Sequence, residues 1–231
     1  MRRTVFFLLL IVMITVTGCN SANNGTSPSS QAATDSNGSN AASETSGTAD
    51  ADNGNDQELI IAGQEIAASL DPVKPLTSSY LRLVGAGEAL FKVNAEGEVE
   101  PELAESATEA DPTTWEIRLR PEARFWSGKA IDADAVIASL ERSRALDLQA
   151  QPFLEELTFS KKDDYTVRVT TKREHMPVPL NLSYYQTLIH NAEAKHDAVD
   201  TMDLSGMYKV VEFVPKQKMV LEANANYWKE Q

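Results

Sequence analysis

The sequence has very few of the side chains that build covalent frameworks and metal centres. Of its 231 residues, one is a cysteine and three are histidines. A single thiol excludes an intramolecular disulfide framework and a cysteine-based zinc site. Basic residues are also scarce, because 21 Lys and Arg stand against 34 Asp and Glu, for a net charge of -13. That balance argues against a basic stripe for a phosphate backbone, so we expect no nucleic-acid partner.

The N-terminal residues lack an apolar run long enough to cross a bilayer. Arg2 and Arg3 precede an apolar stretch from Val5 to Val16, whereas a membrane-spanning helix needs about 20 apolar residues. A basic start, a short apolar stretch and small residues at its end are typical of a secretory signal peptide. The sequence therefore predicts a signal peptide over residues 1–18 and an extracytoplasmic protein.

The predicted signal ends in a motif that resembles the bacterial lipobox. Val16, Thr17, Gly18 and Cys19 supply an aliphatic residue, two small residues and a thiol. The resemblance implies that Cys19 carries a lipid and anchors the chain to the outer face of the cell membrane, or to the periplasmic side in a two-membrane bacterium. The alternative is a plain signal peptide with an incidental cysteine, but ordinary cleavage would leave a lone thiol near the secreted N-terminus.

The next segment lacks every large apolar side chain. Residues 20–56 contain no Leu, Ile, Val, Met or aromatic residue, and no Lys or Arg. Such a stretch cannot bury enough apolar area to offset the entropy lost on ordering. We therefore predict a flexible Ser-, Asn-, Gly- and Ala-rich tether over residues 19–57, with the lipidated cysteine as its first residue.

Residues 58–231 carry both helical and strand periodicity, so the expected class is mixed α/β. Helical spacing predicts a helix over Ser78–Phe91 and a second helix that Asp132 opens as its N-cap. Short apolar runs and alternation predict the strands, which are Leu59–Ala62, Trp115–Arg120, Tyr165–Val169 and a hairpin formed by Met207–Phe213 and Met219–Glu222.

Six passages of this domain agree in order and spacing with one protein family. They are Ser69–Pro72, Gly97–Ser106, Trp115–Arg120, Phe125–Arg142, Ser205–Lys209 and Leu221–Trp228. Together they resemble family 5 of the extracytoplasmic solute-binding proteins of ABC importers, the group that takes oligopeptides, dipeptides and nickel.

The resemblance implies a fold of the type II periplasmic-binding-protein kind. Residues 58–90 and 184–231 would belong to the first lobe, and residues 91–183 to an inserted extra domain. The second lobe of the family is missing, so we expect an incomplete receptor that binds solute weakly or not at all. The implied partners are the permease and ATPase subunits of an importer and a peptide ligand, with a nickel chelate as the alternative.

A non-transport surface lipoprotein with a structural or adhesive role is the rival class. An enzyme is not expected, because the sequence has no dinucleotide fingerprint, nucleophile elbow or phosphate-binding loop. No cofactor is expected either. Thermal stabilisation by a ligand would separate the binding role from the structural one.

The resemblance also indicates residues that border the ligand cleft, and each has a simpler alternative. Asp71 precedes Pro72 and is equally suited to forming a turn. Glu88 fits a solvated acid on a helix, and adjacent tyrosines often divide between core and surface. The candidate ligand-binding residues are Ser69, Asp71, Tyr80, Glu88, Tyr184 and Tyr185.

Two histidines, with nearby acidic residues, are a candidate metal-binding cluster. On a helix, however, His190 and His196 would lie on different faces, because six positions correspond to about 600° of rotation. We therefore expect no metal site formed by these residues.

Overall fold

Short helices and antiparallel strands alternate along residues 67–229, the part of the chain that the computed structural model describes. The predicted signal peptide, Cys19, the tether over residues 19–57 and the predicted strand Leu59–Ala62 lie outside the described residues. Within residues 67–229, no helix is long and apolar enough to cross a membrane.

The largest sheet has four antiparallel strands in the order β3-β4-β6-β5. These strands are β3 (Ala104–Asp111), β4 (Thr114–Leu119), β5 (Leu157–Asp163) and β6 (Thr166–Thr171). The predicted strands at Trp115–Arg120 and Tyr165–Val169 are confirmed. Ile117 and Leu119 point into the core while Arg118 between them is exposed, as alternation requires.

Helix α2 (Ala133–Leu146) packs against strands β5 and β6. Asp132 caps it as predicted, because its carboxylate accepts a hydrogen bond from the Ala135 N–H at 2.9 Å. A one-turn helix, α3 (Gln151–Leu154), follows it. The sheet and α2 enclose the larger apolar cluster, which we call the sheet core; its largest fully buried members are Leu90, Leu103, Ile117, Leu119, Phe125, Ile131, Leu140, Leu154, Leu157 and Leu182.

The first helix is shorter than the sequence predicts. Helix α1 spans Thr77–Leu83, and the prediction that it continues to Phe91 is wrong. Gly85 adopts φ 70° and turns the chain, a left-handed conformation that favours glycine. The residues after it enter strand β1 (Phe91–Val93), which pairs with β2 (Val99–Pro101).

The C-terminal part of the described chain ends in the predicted hairpin. Strands β7 (Tyr208–Val214) and β8 (Lys218–Ala223) pair in antiparallel fashion around a turn at Lys216. Between the sheet and this hairpin lie α4 (Val178–Asn181) and two 3₁₀ turns, Tyr185–Thr187 and Val199–Thr201. A smaller apolar cluster, which we call the second core, comprises Leu70, Leu81, Ala86, Ala89, Trp126, Leu188, Met202, Leu204 and Val210.

One glycine permits a very close backbone contact beside the second core. A Cβ on Gly206 would lie 2.2 Å from the carbonyl oxygen of Gly85 and 2.3 Å from the carbonyl carbon of Ala86. The Gly206 N–H donates to the Ala86 carbonyl at 3.0 Å, and its own carbonyl accepts from the Trp126 indole N–H at 3.2 Å. The passage Ser205–Lys209 therefore needs glycine for packing.

Candidate functional site

A cleft of about 520 Å³ opens beside the second core. Three stretches of chain form it: Ala68–Leu70, His196–Val199, and the end of the β7–β8 hairpin with Phe213 and Pro215. Its walls are mainly apolar, and its polar groups come from Ser69, His196 and Asp197. Concave sites with apolar walls and a few convergent polar groups are typical of small-molecule binding.

Ser69 and Asp71 form a local turn at the edge of the cleft. The Asp71 N–H donates to the Ser69 hydroxyl oxygen at 3.1 Å, and the Asp71 carboxylate accepts from the Val73 N–H at 3.3 Å. The turn-forming interpretation of Asp71 is therefore confirmed. Of the six predicted site residues, Ser69 is the one that lines the cleft within the described part of the chain.

Asp71 also forms an ion pair that sequence reasoning missed. Both terminal nitrogens of Arg142 donate to its carboxylate oxygens at 2.9 Å, and both side chains are largely buried. Burial raises the pKa of Asp71, but the hydrogen bonds and charge of Arg142 outweigh it and hold that pKa below the ordinary value. No local pattern joins these residues, because they lie 71 positions apart.

The two histidine rings contact each other beside the cleft, and His196 lines it. Neither lies in a helix, so the argument from helical faces was wrong. Their ring centroids are 5.5 Å apart in an edge-to-face arrangement, and both side chains are fully buried. A loop, not a helix, determines the direction of each ring.

His190 has partners for both ring nitrogens. Its Nε2 lies 3.2 Å from Nη1 of Arg142, and its Nδ1 lies 3.1 Å from Ser139 Oγ. Since arginine only donates, Nε2 accepts and Nδ1 carries the proton. Burial, helped by the neighbouring His196 and Arg142, lowers the pKa of His190 to about 3, so the ring is neutral.

His196 has a partner for one ring nitrogen only. Its Nε2 lies 2.9 Å from the Asn191 carbonyl oxygen, and a carbonyl only accepts, so Nε2 carries the proton. Its Nδ1 is buried without a hydrogen-bond partner among residues 67–229. Burial lowers the pKa of His196 as well. In the same part of the chain, no group of three or more His, Cys, Asp or Glu side chains is arranged to hold a metal ion.

Glu88 lies away from the cleft. It is neither in a helix nor exposed to solvent, and the interpretation of Glu88 as a solvated acid on a helix was therefore wrong. Its side chain is buried, and its two carboxylate oxygens accept from the Tyr227 hydroxyl at 2.6 Å and the Trp228 indole N–H at 2.8 Å. Burial, and then the nearby Glu102, raise the pKa of Glu88. This carboxylate therefore ties the last described residues to the segment after α1.

The three candidate tyrosines do not converge on the cleft. Tyr80 is half-buried on α1, and Tyr185 is half-buried in a 3₁₀ turn. Tyr184 is exposed and stacks on Phe153, with 4.3 Å between the ring centroids. The residues that line the cleft in the described range include none of the three.

A second cavity, of about 320 Å³, is lined in part by residues 199–203. Asp203 lines it, and its carboxylate accepts from the Ser127 N–H, the Ser127 hydroxyl and the Asn191 amide at 2.7–2.9 Å. These contacts hold the loop that follows β4 against the segment before β7. Because the carboxylate is occupied by protein donors, it contributes structure here.

Comparison with known proteins identifies the family. Residues 98–231, more than half of the chain, match the family described as "Bacterial extracellular solute-binding proteins, family 5 Middle". The chain belongs to the family 5 solute-binding proteins. The expected fold class is thereby confirmed, since its solved relatives have the type II periplasmic-binding-protein fold.

Named relatives within family 5 have different solutes in their names. The nickel-binding protein NikA of Staphylococcus aureus is 25% identical over 154 residues, covering 63% of this chain and 29% of NikA. The periplasmic murein peptide-binding protein MppA of Escherichia coli is 24% identical over 203 residues, covering 74% of this chain and 37% of MppA. The chain thus spans about a third of the length of these relatives.

A solved family 5 structure shows the same likeness in three dimensions. The nickel ABC transporter protein from Bacillus halodurans superposes with a TM-score of 0.63 and 29% identity, over 70% of this chain and 34% of that one.

Proposed function

We propose that this chain contributes the first lobe of an extracytoplasmic solute receptor of an ABC importer. The observation that carries the proposal is the family 5 match over residues 98–231. A receptor of this kind would deliver solute to permease and ATPase subunits, so these are the proposed partners. It needs no catalytic residue, and a purely structural or adhesive surface role would need no cleft.

The proposed lobe consists of residues 58–90 and 184–231, with residues 91–183 as an inserted domain. In support, the cleft is lined by Ala68–Leu70 and by residues between His196 and Pro215, so both of its sides come from the proposed lobe. A lobe of this kind contacts one face of a solute, and closure by a second lobe would cover the other face. Binding by the lobe alone is therefore expected to be weak.

Two solute classes are proposed. Short peptides are the first expectation from the family resemblance, and MppA supports them by its name. Nickel chelates are the second, and the relatives at 25% and 29% identity, whose names mention nickel, favour them. Binding of both classes is testable by calorimetry with a pool of tripeptides and with Ni²⁺ premixed with L-histidine. Tight binding of a sugar, with no heat from peptides or nickel, would contradict both.

We also propose that the mature chain begins at a lipidated Cys19. The motif Val16–Cys19 and the polar segment after it support this. Metabolic labelling with a fatty acid should label the protein and leave Cys19→Ala unlabelled, and the variant should leave the membrane fraction. Equal labelling of both proteins would reject the anchor without touching the receptor function.

A further inference from the structure

We propose that the second cavity is a binding site for a free α-amino acid with an apolar side chain, with Lys209 as the partner of its carboxylate and Asp200 as the partner of its ammonium group. The residues that line this cavity differ from those that line the cleft, except for Val199. The site therefore goes beyond the proposed receptor function and does not depend on it.

The first argument is the state of Lys209 on β7. This residue lines the cavity and is half-buried, and within residues 67–229 its ammonium group has no hydrogen bond and no ion pair. A charge that is partly removed from water without a partner costs free energy, and an anionic group placed beside it removes that cost. The other described lysines that lack an ion pair are all exposed, namely Lys74, Lys172, Lys195, Lys216 and Lys229.

The second argument is a carboxylate of opposite charge on the same cavity. Asp200, in the 3₁₀ turn Val199–Thr201, lines the cavity and is exposed. Its carboxylate has no hydrogen bond or ion pair among the described residues, so it does not pair with Lys209. Two opposite charges that line one cavity without meeting fit a ligand that carries both charges. A free α-amino acid carries an ammonium group and a carboxylate on one carbon atom, and it can bridge the two side chains with charge-assisted hydrogen bonds.

The third argument is the apolar part of the wall. Trp126, Val199 and Met202 supply it. The indole N–H of Trp126 already donates to the Gly206 carbonyl at 3.2 Å, so its ring offers an apolar surface to a ligand. The volume of about 320 Å³ is near the lower end of the range for small-molecule sites. This size favours a ligand of one amino acid over a peptide, and the wall favours an apolar side chain.

Protein contacts form the cavity without a ligand. The buried Asp203 carboxylate accepts three hydrogen bonds from Ser127 and Asn191 at 2.7–2.9 Å, which hold two segments of the wall together. A wall that is already in place loses little conformational freedom on binding. Because the Asp203 carboxylate is engaged by these donors, Asp200 is the carboxylate that is open to the ammonium group of the ligand.

The test is an NMR titration of the full chain with L-leucine, detected at the methionine methyl groups. Met202 lines the second cavity and not the cleft, so its methyl signal should shift and saturate. Lys209→Gln should weaken leucine binding by about tenfold or more, and Asp200→Asn, at an exposed position, by about threefold. Glu222→Gln is the control: it removes an exposed carboxylate opposite Lys209 on β8 that does not line the cavity, so it should keep the wild-type affinity.

Two leucine derivatives test the two charges separately. N-acetyl-L-leucine lacks the ammonium group and L-leucinamide lacks the carboxylate, so both should bind more weakly than leucine, leucinamide by about tenfold or more. Equal affinity of either derivative and leucine, unchanged affinity in Lys209→Gln, or no saturation of the Met202 signal at millimolar leucine would reject the site. Each of these results leaves the receptor proposal untouched. If Lys209→Gln does not fold, the two derivatives still decide the question on the wild-type chain.

Discussion

The two cores of the molecule are stabilised by different kinds of contact. Beneath the four-stranded sheet, the sheet core is the larger of the two apolar clusters. Beside the cleft, the second core is smaller and adjoins buried or largely buried polar groups that contact one another, namely Asp71, Arg142, His190, Ser139 and His196. Helix α2 separates the two, since Val136 and Leu140 face the sheet core while Ser139 and Arg142 face the polar side.

This difference indicates which part of the molecule tolerates change. Apolar packing is non-directional, so a core of this type accepts substitutions that conserve volume. Buried polar groups need partners at defined distances, and the loss of one leaves another unsatisfied. We therefore expect the cleft side to be more sensitive than the sheet side to substitutions of similar size, and the following measurements compare closely packed or buried positions with control positions away from the cleft.

The largest effect is expected at Gly206. Gly206→Ala should lower the free energy of unfolding by about 3 kcal/mol, because its Cβ would overlap the backbone of Gly85 and Ala86. Gly97→Ala in the β1–β2 turn is the control: a Cβ there meets nothing within 4 Å, although φ is 86°, so its cost should be about 1 kcal/mol. Urea unfolding measures both, and equal losses would contradict the close-contact argument.

Removal of the buried guanidinium should have the next largest effect. Arg142→Gln should cost about 2 kcal/mol, because it leaves the largely buried Asp71 carboxylate without its ionic partner and His190 Nε2 without its donor. Arg118→Gln on β4 removes an exposed ion pair with Glu105, and its effect should be much smaller. A similar loss of unfolding free energy in both variants would show that the Asp71–Arg142 ion pair stabilises the fold no more than an exposed pair does.

The pH dependence of stability should distinguish the buried histidine from an exposed one. The folded pKa of His190 is lowered to about 3, so between pH 6.5 and 3 the unfolded chain binds a proton that the folded chain does not. The contribution of neutral His190 to the free energy of unfolding is therefore complete above pH 6.5. It is lost as the pH falls towards 3, by about 1 kcal/mol per pH unit. His190→Gln should reduce this slope, whereas His175→Gln should retain it. An unchanged slope in His190→Gln would contradict the assignment.

The smallest effect is expected at Glu88. Glu88→Gln leaves one acceptor oxygen for two donors, Tyr227 and Trp228, but it also removes a buried charge, so the net loss at pH 7 should be about 0.5 kcal/mol. Because the folded pKa of Glu88 is raised, wild-type stability falls as the pH rises from the ordinary glutamate value. The deficit of the variant should therefore be larger at pH 4 than at pH 7.

The control for Glu88 is a half-buried carboxylate on the surface of the sheet. Glu116 accepts from Lys162 and Arg168 on the surface of the sheet, and Glu116→Gln should change stability less than Glu88→Gln does at pH 4. If the two variants lose the same amount at both pH values, the buried carboxylate is not distinguished by its environment.

The sequence by itself determined the elements that depend on neighbouring residues. Alternation at Trp115–Arg120 predicted β4, and Asp132 predicted the start of α2. The apolar runs at Met207–Phe213 and Met219–Glu222 predicted the β7–β8 hairpin. Periodicity and capping act within a few residues, so they can be read along the chain. The length of helix α1 was overestimated, because the apolar pattern continues past Gly85 although the left-handed turn there ends the helix.

Only the tertiary structure decided which polar side chains meet, both at the candidate site and away from it. Asp71 meets Arg142 across 71 positions, and Glu88 meets Tyr227 across 139. His190 and His196 approach because a loop, not a helix, carries them, and Ser69 alone of the six candidates lines the cleft in the described range. These contacts form where separate elements pack together, and local periodicity carries no information on which polar groups then share a buried space.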